Sequence, residues 1–179
     1  MANNKKKGFG LYVIDLDVMS KVLWIVVMAL GVIATAFIFG PALVTSIEEI
    51  HTGTQVTFGE LWFDAVYVKQ YIPFTFWAFV GYFFPLFASI LMAFNYEKEN
   101  KWFDIGCAAM FLVSVILIVL LSKYVYFVKD NTITDTISKT LVDDTAKLGW
   151  GAQLTIFASF LGIITSLLKW FSDTYNKEK

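Results

Sequence analysis

Four long stretches of this chain carry no charge. Residues 22–47, 70–96, 105–122 and 148–168, which are 26, 27, 18 and 21 residues long, contain no Asp, Glu, Lys, Arg or His. An α-helix rises 1.5 Å per residue, so roughly 20 apolar residues cross the roughly 30 Å hydrocarbon layer of a bilayer. The four stretches make up 92 of the 179 residues and leave little chain for a separate soluble domain. Hydrophobic residues make up 58% of the sequence, above the roughly 45–50% of soluble domains even with glycine counted. The expected fold is all-α: an integral membrane four-helix bundle with two outer loops.

The boundaries follow from the charges. Residues 1–21 form an N-terminal interfacial segment, and 22–170 form a single membrane domain with spans at about 22–45, 71–94, 105–128 and 148–170. Residues 171–179 form a tail. Ala34-Thr35-Ala36 resembles a small-residue cleavage site, but the apolar run continues through Val44, which favours an uncleaved anchor. Pro73 suits a first helical turn, and Pro85 should kink the second span. The third charge-free run is short, so its helix is expected to continue to Val128 with the Lys123 ammonium reaching toward the interface. Asp17 or Ser20 could cap the first helix.

All 14 basic residues are Lys. The bidentate fork by which Arg grips phosphate or carboxylate is therefore missing, and a net charge of −1 gives no sign of a nucleic-acid surface. Grouping both termini with the 95–104 loop puts nine Lys on that side (5, 6, 7, 21, 98, 101, 169, 177 and 179) against five on the other (69, 123, 129, 139 and 147). By the positive-inside rule both termini are expected in the cytoplasm of a multi-pass plasma-membrane protein.

Small residues mark where helices can approach closely in lipid. Ala36 and Gly40 do so on the first span, Gly81, Pro85 and Ser89 on the second, and Ala158, Gly162 and Ser166 on the fourth. The opposite faces of the second span carry Phe74, Phe76, Phe79, Phe83, Phe84 and Phe87, which suit a lipid surface. In the first outer loop, Ser46-Ile47-Glu48-Glu49 and Thr57-Phe58-Gly59-Glu60 match the capping-box pattern. The latter would open a short amphipathic helix over residues 60–66 with Leu61 and Trp62 on its apolar side. In the second loop, Ile133, Ile137 and Leu141 fall at helical spacing. These five apolar residues are the candidate partner contacts.

Catalytic and metal sites find little support. His51 is the only histidine and Cys107 the only cysteine, so an intrachain disulfide or bis-histidine ligation is impossible. Ser89, Thr35 and Ser114 suit bonds to their own helix backbone better than nucleophilic roles. The expectation is a non-enzymatic integral membrane subunit, without metal or cofactor, that scaffolds, stabilises or regulates a larger assembly. Its partners would be the lipid bilayer and other membrane subunits or itself, with no nucleic acid. A self-assembling channel or transporter component is the alternative.

Overall fold

Four helices long and apolar enough to cross a membrane form the body of the computed structural model. It describes residues 16–45, 50–65, 68–95, 100–131, 136–141 and 146–176, the side chains of 16–17, 61–65, 68, 141 and 175–176 excepted. The spanning helices are α1 (Leu16–Ala36), α3 (Phe76–Asn95), α4 (Lys101–Val119) and α6 (Trp150–Asn176). Each packs on two others, α1 and α4 on both α3 and α6, so the bundle closes as a square. One core cluster fills its terminal half with Val27, Ala88, Met92, Cys107 and Phe111. A second, at the loop end, joins Tyr82 and Ile118 of the bundle to Leu43, Val56 and Ile72 of the loops.

The all-α expectation fails in the loops, which form two antiparallel sheets. The first loop supplies β1 (Pro41–Val44), β2 (Ile50–Thr52), a short α2 (Gly53–Phe58), β3 (Glu60–Ala65) and β4 (Val68–Ile72). The second supplies a single helical turn, α5 (Leu121–Tyr124), then β5 (Tyr126–Asn131), β6 (Thr136–Leu141) and β7 (Lys147–Leu148). The strand orders are β2-β1-β7 and β3-β4-β5-β6, so each sheet takes strands from both loops.

The reasons for the departures are local. The first helix stops at Ala36 because a 3-10 turn over Phe37–Phe39 leads into Pro41, which has no N–H to extend a helix. The apolar run to Val44 then continues as β1 and not as membrane span. The third helix ends at Val119 and leaves Tyr126, Phe127 and Val128, all good strand formers, to pair with β4 and β6. The expected amphipathic helix at 60–66 is replaced by β3. Thr57 lies near the end of α2, and Gly59 reverses the chain at φ 86°, a conformation favourable only to glycine. The true capping box is Thr52 with Gln55, whose side chain accepts from the Thr52 N–H at 2.6 Å. Ser46 to Glu49 lie outside the described residues. The helical stripe of the second loop is replaced by β6, and Ile133 lies outside the described residues. The last helix begins at Trp150 and extends to Asn176, well past Lys169.

Candidate functional site

The helix seams place most polar side chains of the spans. Along α4 and α6, antiparallel neighbours, contacts recur at steps of three and seven residues. Ser114 Oγ lies 3.3 Å from Ser159 Oγ, the Phe111 ring lies 2.7 Å from where a Cβ on Gly162 would stand, and Asp104 meets Lys169. This is the heptad-like spacing of helices crossing at a shallow angle, and it sets Ser166 level with Cys107. Ser166 is fully buried, and its Oγ makes no hydrogen bond.

Pro85 shows how a local defect is repaired. Lacking an N–H, it leaves the carbonyl four residues earlier without its helical partner, and the Ser114 hydroxyl donates to that Gly81 oxygen at 2.6 Å. Similar staples recur on the α3–α4 seam and cross the α1–α3 and α1–α6 seams. Ser89 Oγ donates to Met28 O at 2.8 Å, Thr35 Oγ1 to Tyr82 O at 2.9 Å, Thr155 Oγ1 to Ala34 O at 3.1 Å, and Cys107 Sγ to Ala88 O at 3.3 Å. Thr35 and Ser89 bond their own helix backbone as well as the partner helix, whereas the Ser114 hydroxyl bonds to Gly81 O on α3 and lies against Ser159 on α6.

The small residues of the sequence occupy different settings. Gly40 lies under the Trp150 ring, Gly81 against Ile118 and Gly162 against Phe111. Pro85, Ser89 and Ala158 are buried, whereas Ala36 is exposed at the end of α1, off the seams. The tightest approach of the α1–α3 seam is at Gly31, where an added Cβ would overlap Ser89 Oγ and the Pro85 carbonyl oxygen. Sequence reasoning passed over it, although Gly31 and Thr35 stand four apart, the spacing that signals a close seam.

At the terminal end of the bundle, charged side chains are buried between the helices. Asp104 is fully buried, and Lys169 is 5% exposed because α6 runs on beyond it. The Lys169 ammonium donates to Asp173 Oδ2 at 2.6 Å and stands 3.3 Å from Asp104 Oδ1. The Ser20 hydroxyl donates to the other oxygen of Asp173. Ser20 therefore lies within α1 and ties it to α6, and does not cap the helix. Two carboxylates share one ammonium at the meeting of α1, α4 and α6. Among the described residues no three His, Cys, Asp or Glu side chains gather to hold a metal.

The loop end differs in kind. His51 is 5% exposed on β2, with its ring 5.3 Å from that of Phe127. Tyr124 donates its phenol proton to Leu117 O at 2.8 Å, and burial pushes that phenol above its ordinary pKa. Farther out, β6 is the edge strand of the larger sheet, and Thr136 to Lys139 and Thr140 are all exposed. Ile137 is 66% exposed, and the Lys139 ammonium lies 5.5 Å from the Tyr126 ring centroid. Leu61 and Trp62 lie on β3, the opposite edge, and Leu141 ends β6; the side chains of these three are outside the description. Compared with protein-family models, curated proteins and solved structures, the chain matches none.

Proposed function

We propose that this chain is a non-enzymatic membrane subunit whose loop-side sheet makes contact with another polypeptide, so that it scaffolds or stabilises an assembly. The observation that carries the reading is β6, a strand whose residues 136–140 are exposed on both of its faces. A strand that buries so little in its own chain, with an edge unpaired among the described residues, is a template for β-strand addition. The Lys asymmetry supports termini in the cytoplasm of a plasma-membrane protein, with the sheet outside.

Two measurements test this. An impermeant thiol reagent on intact cells should label a cysteine at Asn131 and spare one at Asn100; the reverse pattern sinks the orientation. Extraction in native lipid should recover the chain with a partner, either another protein or a second copy, and Ile137→Ser should release it while leaving the spans inserted. A monomer, with Ile137→Ser silent, sinks the subunit reading. The alternative, a channel or transporter component, draws support from the Asp104–Lys169 pair, buried between two candidate spans toward their terminal ends, since ionisable groups within spans are costly and commonly functional. Solute flux in liposomes containing the purified chain alone would favour it.

A further inference from the structure

The partner at the sheet edge can be specified further, and this step rests on the contact reading above. The cross-strand registers line residues up in transverse rows. One row runs Phe63, Gln70, Lys129, Ser138, a second Asp64, Lys69, Asp130, Ile137, and a third Ala65, Val68, Asn131, Thr136. Among the described residues the sheet has four strands that alternate in direction, with β3 at one edge and β6 at the other. An even number of alternating strands has a geometric consequence. If a second chain sits in the same membrane facing the same way, its β3 arrives at the first chain's β6 running antiparallel, which is the polarity the sheet already uses.

Charge fits the same join. The second row alternates Asp64, Lys69 and Asp130 before ending at Ile137. The next charge on that face of β6 is Lys139, two residues on from Ile137 and so on the same side of the strand. The incoming β3 carries Glu60 and Asp64 and no Lys. With the rows continued at equal height, Asp64 of the neighbour is diagonal to Lys139, a cross-strand distance that long side chains span. Pairing β6 with another β6 would instead bring two Lys139 residues to one seam and offer no carboxylate.

We infer that the β6 edge is occupied by the β3 edge of a second copy of this chain, which extends the four-stranded sheet from one protomer to the next. Such a contact uses two different surfaces, so it propagates.

Cysteine pairs within a row provide the test. In one chain, residues 63 and 138 are three strand spacings apart, about 14 Å, beyond the roughly 7 Å Cα separation that a disulfide tolerates. Any bond between them is therefore intermolecular. Phe63→Cys with Ser138→Cys, and separately Ala65→Cys with Thr136→Cys, are oxidised in native membranes and run without reductant. The expected result is dimers and higher species from both double variants, reversed by reductant, with the four single variants monomeric. Two row pairs guard against one substitution that disturbs the sheet. A dimer from Ser138→Cys alone would mean β6 pairs with β6 and overturns the proposal. So do double variants that remain monomeric while correctly inserted. In that last case, a foreign chain released by Ile137→Ser would leave the contact reading standing and remove only the self-association; the absence of any such chain would remove both.

Discussion

The two ends of this molecule satisfy their polar groups in opposite ways. Inside the spans Ser89, Thr35, Thr155, Ser114 and Cys107 each donate to a carbonyl of a neighbouring helix, and Lys169 stands between two carboxylates of its own chain. At the loop end β6 holds one neighbour and leaves its other edge open among the described residues. The difference follows from the solvent. Hydrocarbon offers no hydrogen bonds, so an unpaired group there costs several kcal/mol and most of these hydroxyls close on a neighbouring helix, with the Ser166 and Tyr82 hydroxyls as exceptions among the described residues. Water can occupy a strand edge until something better arrives, so the loop end can afford to remain incomplete.

That contrast breaks most visibly at Lys169. Lys169→Met leaves Asp104 buried without a counter-charge, and losing one partner of a buried pair costs about 3–5 kcal/mol. We expect the variant to lose most of its resistance to denaturing detergent. Adding Asp104→Leu should restore much of it, because an apolar pair of similar volume is close to neutral. If the single variant unfolded like wild type, the cluster would not hold the terminal end together.

Next in size are the glycines. Gly31→Ala drives a methyl into a backbone carbonyl that cannot yield and should cost about 1–3 kcal/mol. Gly106→Ala meets only the Leu91 side chain at 3.4 Å, ordinary contact. The latter should be neutral or slightly stabilising, since alanine is the better helix former by about 1 kcal/mol. Equal effects at the two sites would show that the α1–α3 seam is looser than its geometry. A smaller step is Ser89→Ala, which removes one interhelical hydrogen bond worth about 0.6 kcal/mol.

What was legible in advance divides along the same line. The four spans could be read because lipid excludes charge, and charge-free runs are visible in any sequence. Their ends could not, because an apolar run does not distinguish helix from buried strand. Pro41 to Val44 and Tyr126 to Val128 continue the apolar runs but pair as strands. The sheets were hidden for a second reason: β1 lies between β2 of its own loop and β7 of the other, so its pairing depends on residues more than 100 positions away. The Asp104–Lys169 pair was missed because Lys169 resembles the end of a span. Only the extension of α6 to Asn176 places it inside. Thr-rich β6 carries alternation, with Ile137, Lys139 and Leu141 opposite Thr136, Ser138 and Thr140, but its Ile137 to Leu141 step also fits a helix.

The smallest expected effect on stability carries the most information about function. Ile137 is two-thirds exposed on an edge strand, so Ile137→Ser removes little buried surface and should change folding by no more than about 0.5 kcal/mol, as surface substitutions away from special features do. In a chain that works alone the substitution should be silent in every assay. In a chain whose sheet is completed by a neighbour, Ile137 is covered in the assembly, and burying a side chain of that size contributes about 1.5–3 kcal/mol, of which serine keeps little. The assembly should then loosen by roughly 10- to 100-fold, since each 1.4 kcal/mol is a factor of ten in an association constant. Detergent resistance of the monomer and the oligomer fraction in native lipid, measured on the same variant, separate the two cases. Loss of both together would mean that Ile137 supports the fold, and the distinction between a closed bundle and an open sheet edge would fail at this residue.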